Sequence, residues 1–325
     1  MNRPSPPAPR DDDQAGFALL MVLLFLLAVT AIIAPLVLGA RTDFLVASNR
    51  LQQERLESIA DGLVTVIARE LASPPLEPRN EEIKVRSEPL RCRDTRYLIE
   101  ARIQDQRGLI GINNAPVELL TAGFRALDFP TGDVTELAEA VIAYRTKPPL
   151  EGERDPAGGP APPPVARAAD TGDRVAGGMK LKPFEAVEEL YDFTGFRAKP
   201  VQALTEIFSV HNTGETIVGP RISTRLSRVL PSSPSPSFPF ILAEEEDGAK
   251  TYRIEVEVRT VDGAMGGYSG AVVTASENEN GAYDIVERTA NPEFLPEGES
   301  DFAGDVDCSM IFGAGVSAAL AAGPE

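Results

Sequence analysis

The 325-residue sequence has no tryptophan and a single histidine, His211. Chemistry built on clustered imidazoles, either zinc ligation or a histidine general base, has almost nothing to draw on. Positive charge is also scarce: 31 lysines and arginines against 49 aspartates and glutamates leave a net charge of −18. Binding to nucleic acid needs a basic face that displaces counterions from phosphate, so that class is excluded. The two cysteines, Cys92 and Cys308, are too few for a disulfide-built scaffold. They leave two alternatives open: a pair of free thiols or, in an oxidising compartment, one bridge. Across so long a loop a bridge would be worth on the order of 4 kcal/mol. There is no phosphate-cradling glycine loop, no Gly-x-Ser-x-Gly elbow and no zinc-spaced cluster. The acidic runs at 11–13 and 244–247 read as solvated surface.

What is present is an uncharged apolar run, residues 17–40. As a helix it would extend roughly 36 Å, enough for a hydrocarbon core of about 30 Å. In lipid the backbone must satisfy its own hydrogen bonds, which favours the helix. Pro35 is a point where it can kink. The apolar face continues through Phe44, Leu45, Leu51, Leu56, Ile59, Leu63, Val66, Ile67 and Leu71, mostly at spacings of three and four. One helix over 17–72, roughly 84 Å long, is the expectation. Ser73-Pro74-Pro75 stops it. Charge on the two flanks of the apolar run does not decide its orientation.

Beyond the helix, residues 96–105 alternate and read as a strand, turned by Gln106-Arg107-Gly108. Two helices follow, over 116–127 and 134–145, with Asn114 expected to cap the first and Thr131 or Asp133 the second. Residues 147–178 are rich in proline, glycine and alanine and read as the longest loop. Helices are expected at 184–193, burying Val187, Leu190 and Tyr191, and at 198–208. A helix-turn-helix of this kind also serves DNA binders, but Glu185, Glu188, Glu189 and Asp192 give it the wrong sign. Strands at 250–260, 268–275 and 283–287 form a meander that should pair with 96–105. The fold class expected is therefore α+β, with a mostly helical segment inserted into an antiparallel sheet. Residues 289–325 show no clear element.

Three readings of the apolar run compete: a secretory signal peptide, a plain signal anchor, and a third carried by its front edge. A signal peptide would need a small-x-small cut site at the far end, where Ala34, Leu38 and Ala40 offer only poor spacings. At the near end, Ala15-Gly16-Phe17-Ala18-Leu19-Leu20 resembles the cut site of type IV prepilins and pseudopilins. The resemblance implies that the prepilin peptidase cuts between Gly16 and Phe17 and that the new Phe17 amine is methylated. Pilins usually carry glutamate at the fifth position after the cut; here it is Met21. Among pseudopilins the large K-type minor member characteristically lacks that glutamate.

Three further segments resemble the K-type family. The first is Asp105-Gln106-Arg107-Gly108-Leu109-Ile110-Gly111-Ile112-Asn113, with Gln106 in place of a second acid and Gly111 in place of an asparagine. The second is the helix ending Val141-Ile142-Ala143-Tyr144-Arg145, with Tyr144 where tryptophan is usual. The third is Pro183-Phe184-Glu185-Ala186-Val187-Glu188-Glu189-Leu190, the most specific of them.

The resemblance implies a pilin-like long N-terminal helix packed on the sheet. It divides the chain into a removed leader (1–16), a membrane or filament-core helix (17–40), its amphipathic continuation (41–75), a first β part (76–107), the inserted helical domain (108–212) and the remaining β part (213–325). It implies an inner-membrane, single-pass protein with a periplasmic C-terminal part, not an enzyme, at the tip of a type II secretion pseudopilus. The partners implied are the I-type and J-type minor pseudopilins, the prepilin peptidase and the inner-membrane secretion platform. It also implies calcium in the helical domain, for which Asp155, Asp170, Asp173 and Glu185 are the nominated ligands. The rival is a membrane-anchored periplasmic binding protein or hydrolase, with an uncut N-terminus. Another tip pilin of the type IV family would share the cut site.

Overall fold

The computed structural model describes residues 12–72, 89–146, 180–231, 233–236, 238–243, 250–263, 265–275, 282–289, 306–313, 316, 318 and 320, without the side chains of 12–18 and 34–38. The chain divides into two compact units, residues 1–55 and 56–325.

The first unit is the larger part of helix α1 (Asp12–Ala72), which begins five residues before the expected start and is helical on both sides of Pro35. Its apolar side chains face outward: Phe25 is 68% exposed, Leu27 69% and Phe44 72%. Among the described residues no helix is long and apolar enough to cross a membrane.

In the second unit the last turns of α1 lie on a six-stranded sheet. The strands are β1 (Leu90–Arg93), β2 (Tyr97–Asp105), β7 (Lys250–Thr260), β8 (Gly266–Ala275), β9 (Tyr283–Thr289) and β10 (Val306–Asp307), in the order β10-β1-β2-β7-β8-β9. All neighbours are antiparallel except β10 on β1. The central pairing runs from Tyr97 opposite Thr260 to Asp105 opposite Tyr252. Strand β7 alternates as its sequence does: Tyr252, Ile254, Val256 and Val258 join a core with Leu56, Ala60, Leu63, Val64, Ile67 and Ala68 of α1. Those helix positions recur every three or four residues, so one face of the helix meets the sheet. Each large side chain so buried contributes about 1.5–3 kcal/mol. At Gly267 the backbones of β8 and α1 touch: a Cβ there would overlap Leu56 and Glu57 backbone atoms.

The C-terminal region, in which the sequence shows no element, supplies β10 and the short helix α5 (Cys308–Phe312). Asp307 accepts a hydrogen bond from the Ser309 backbone N–H at 2.7 Å and caps α5. Cys308 is bonded to Cys92 of β1, with Cα atoms 4.9 Å apart, within normal disulfide reach. Both cysteines are buried. The segment is invisible to periodicity because it is too short to show any; a covalent bond and Ile311 and Phe312, buried in the sheet core, hold it.

Between β2 and β7 the chain builds a second core. Its elements are β3 (Ile110–Gly111), α2 (Val117–Ala126), α3 (Val134–Arg145), α4 (Val201–Thr205), β4 (Phe208–Ser209), β5 (Ile217–Val218) and β6 (Ile241–Leu242). Strands β3 and β4 pair in parallel, as do β5 and β6. Phe124 sits at the centre, edge-on to Phe129 and Phe196 and tilted on Phe208.

Several expectations are corrected here. The 184–193 segment is a 3-10 turn over Val187–Asp192, and Tyr191 is only half-buried. Tyr191 instead donates its hydroxyl to the Lys199 carbonyl at 2.8 Å. The 198–208 helix shrinks to α4, because residue 199 precedes Pro200, which disfavours helical backbone, and 208–209 pair with β3. Neither expected side-chain cap forms: Pro116 and Asp133 are the N-cap residues, without a side-chain cap bond. The inserted part does not end at 212. Ile217, Leu226, Leu230 and Ile241 are buried in the same core as α2 and α3, scattered apolar residues in a stretch that reads as polar loop.

Candidate functional site

The three segments singled out in the sequence meet in one polar junction. Asn113, just after β3, reads the backbone of Phe184 from both sides: its Nδ2 donates to the Phe184 carbonyl at 3.0 Å and its Oδ1 accepts from the Phe184 N–H at 2.7 Å. Arg145, the last residue of α3, turns its guanidinium onto the same β3–α2 turn. It donates to the Ala115 carbonyl at 2.7 Å and to the Ile112 carbonyl. Tyr144 donates its hydroxyl to Asp192 at 2.6 Å. Burial, and then that bond to Asp192, push the Tyr144 hydroxyl far above its ordinary pKa.

Glu189 completes the arrangement. Its carboxylate accepts from the backbone N–H groups of Glu185 at 2.8 Å and Ala186 at 3.3 Å, and from Lys180 at 2.6 Å. Partial burial pushes this carboxyl up, but Lys180 and the two N–H groups outweigh it and hold it below the ordinary glutamate value. Of the Glu-Glu pair in the 183–190 segment, Glu189 is the one that fixes the turn. Gly111, where the family resemblance expects asparagine, lies against the Asn212 carbonyl, and a Cβ would collide with it.

A second set of contacts ties this core to the sheet. Asp105, fully buried at the end of β2, receives Arg107 through three bonds: from its backbone N–H and Nε at 3.0 Å and from its Nη2 at 2.6 Å. Ser209 donates to Gln106 at 2.7 Å. His211 meets Glu287 of β9 at 2.9 Å, which, ahead of all other effects, lowers the Glu287 carboxyl pKa. Gln106, which replaces the second acid of the resembled motif, thus works as a neutral acceptor inside a buried contact, where a charge would be costly. Asn212, not singled out by the sequence, donates to the Leu109 carbonyl at 2.7 Å. Nothing in its neighbourhood marks it before the fold is known.

Of the four nominated calcium ligands only Glu185 is among the described residues. Asp155, Asp170 and Asp173 lie outside the described residues. Glu185 is 84% exposed and its carboxylate lies 3.9 Å from Lys180. Among the described residues no group of three His, Cys, Asp or Glu could hold a metal ion. Gly16 and Phe17 lie within α1, and their side chains are outside the described set.

No protein-family model and no curated protein matches the chain. Among solved structures, the fold is similar to that of a chain in the crystal structure of the GspK-GspI-GspJ complex from the enterotoxigenic Escherichia coli type 2 secretion system. The TM-score is 0.51 at 12% identity, over 76% of this chain and 99% of that one. The likeness is one of fold: an α+β, pseudopilin-like arrangement with an N-terminal helix and an antiparallel-rich sheet.

Proposed function

We propose that this chain is the K-type minor pseudopilin of a type II secretion system, placed at the tip of a periplasmic pseudopilus with I-type and J-type partners. The observation that carries the proposal is the interruption of the sheet. Strands β2 and β7 are adjacent, and the chain between them forms a separate, largely helical core at whose junction all three family-like segments converge. A plain anchored hydrolase gives no reason for that convergence. The fold likeness to a chain of the GspK-GspI-GspJ complex, over nearly the whole of that chain, supports the same reading.

On this reading the prepilin peptidase cuts between Gly16 and Phe17, the Phe17 amine is methylated, and the apolar run first anchors the chain in the inner membrane and then packs in the filament. Met21 in place of the usual glutamate suits a subunit with no neighbour above it, since a carboxylate in an apolar setting needs a partner. The bulk inserted between β2 and β7 would block addition of a further subunit. The test is the intact mass of the mature protein with and without the peptidase. A peptidase-dependent start at Phe17, together with co-purification of the I-type and J-type partners, is expected. An intact Met1, or a cut beyond Ala40, would sink the proposal.

A further inference from the structure

A cleft of about 510 Å³ separates the end of the sheet from α4 and the 219–228 turns. Most of the charged groups around it are engaged with one another. Arg102 of β2 is held by Glu100 at 2.9 Å and Arg225 by Glu206 of α4 at 2.9 Å. Asp105 takes Arg107 at 2.6 Å and lies 3.8 Å from Arg221. Glu255, in the wall that β7 forms, is the exception. It is only partly exposed, and it has neither a hydrogen bond nor an ion pair among the described residues.

Two polar groups beside Glu255 are also unsatisfied. Arg253, two positions earlier on the same face of β7, has its Nε buried with no hydrogen-bond partner among the described residues. Tyr268 of β8 is 5% exposed, and its hydroxyl is buried without a partner as well. That hydroxyl lies over Gly270, which stands directly opposite Glu255. The carboxyl is therefore flanked by a buried donor and a buried phenol and bonded to neither. Burial, its largest influence, pushes it toward the neutral form, against the charges of Arg253 and Arg102; Glu206 pushes in the same direction as burial.

The opposite wall is not fastened to the sheet at this point. The second core is tied to the sheet by Ser209 on Gln106, by His211 on Glu287 of β9, and where the Arg221 backbone lies against Gly108. Among the described residues no ion pair joins Glu206, Arg225 or Arg228 to the sheet. An ionised carboxylate without a bonded partner needs water, and burying it without either is expensive. A wider cleft brings water to Glu255 and to the Arg253 Nε. A neutral Glu255 makes no such demand, and the walls can stay closed.

We infer that Glu255 is a proton-operated latch between the two cores: protonated, it lets the wall of α4 and residues 225–228 close on the sheet, and ionised, it opens the cleft by drawing in water. The inference does not depend on the pseudopilin assignment. A carboxyl that the closed structure favours in its neutral form stabilises that structure below the ordinary glutamate pKa near 4.5. The contribution is lost as pH rises through its own, higher value. The latch therefore closes on acidification and opens as pH rises.

The test uses full-length protein in detergent with spin labels at Thr95→Cys, between β1 and β2, and Ser227→Cys, on the opposite wall; both positions are exposed. Pulsed electron paramagnetic resonance reads the distance between them from about pH 4 to about pH 9. The distance should lengthen as pH rises, with a midpoint above 4.5. Glu255→Gln, neutral and of the same shape, should abolish the change and keep the short distance throughout, with the His211–Glu287 contact left in place. Arg253→Gln removes a charge that favours the ionised form and should raise the midpoint by about one pH unit or more. It tests the latch even if Glu255→Gln fails to fold. A distance constant across the range, a transition unchanged in Glu255→Gln, or a midpoint lowered or unmoved in Arg253→Gln would each overturn the inference.

Discussion

Reduction of the Cys92–Cys308 bridge should act on two levels. The bridge spans 216 residues. In the chain-entropy account, opening a loop of that size frees the unfolded chain by about 5 kcal/mol, the upper end of what disulfides contribute. Residual order in the denatured state reduces this, and about 3–5 kcal/mol is the loss expected for the second unit. The local effect should come first. Without the bond, β10 and α5 are held by two ladder positions and by Ile311 and Phe312, whose burial is worth about 3–6 kcal/mol together. Ordering residues 306–312 costs about 1–2 kcal/mol each, which exceeds that sum, so the segment should detach while the sheet remains.

Two measurements on the same sample separate these levels. Urea unfolding followed by tyrosine fluorescence suits a chain without tryptophan, because Tyr97, Tyr252 and Tyr268 are buried in the sheet. Hydrogen exchange with and without reductant reads residues 306–312 against β2 and β7. Amides of 306–312 should lose protection on reduction and those of β2 and β7 should keep it. A loss below about 1 kcal/mol in the urea experiment, or unchanged protection at 306–312, would refute the reasoning.

Other outcomes follow from the same geometry. Gly267→Val drives a side chain into the α1 backbone and should destabilise the second unit by more than about 2 kcal/mol, seen as a lower Tm; an unchanged Tm would mean that the helix does not rest on the sheet there. Asn113→Ala leaves both polar groups of Phe184 unmatched and should cost about 2–4 kcal/mol in urea unfolding, with Asn113→Asp, which keeps only the acceptor, in between. The depressed carboxyls of Glu287 and Glu189 contribute stability that is complete above the ordinary glutamate pKa near 4.5 and is lost as pH falls through their lower folded values. The acid-unfolding profile of His211→Phe should therefore be flatter below pH 4.5 than that of wild type, and coincident profiles would remove His211–Glu287 as a stabilising pair.

The sheet was legible in the sequence where strands are long enough to alternate. Strand β7 shows its buried face in Tyr252, Ile254, Val256 and Val258, and its partner β2 in Tyr97, Ile99, Ala101 and Ile103. Helices α2 and α3 were legible from their apolar faces. Elements of two to five residues were not, because no periodicity develops over so short a length: β10, α5 and the β5–β6 pair are fixed by a disulfide or by contacts distant in sequence. Of the junction, the residues Asn113, Tyr144, Arg145 and Glu189 lie in segments that could be singled out, but their bonds could not. Asn114 is the expected cap of α2, yet it donates to the Thr213 carbonyl, while its neighbour Asn113 binds Phe184.

The placement of the second core inside the sheet also bears on the order in which the chain can fold. Asp105 and Tyr252, opposite one another, are separated by nearly 150 residues. Pairing of β3 with β4 and of β5 with β6 short-circuits most of that distance. With those pairs formed, the tether between β2 and β7 shrinks to roughly 25 residues, which lowers the entropy of closing it by about 1.5 kcal/mol. The interrupted sheet should then form after the segment that interrupts it, and mutations in the α2–α3 core should slow the appearance of β2–β7 protection, not only weaken it.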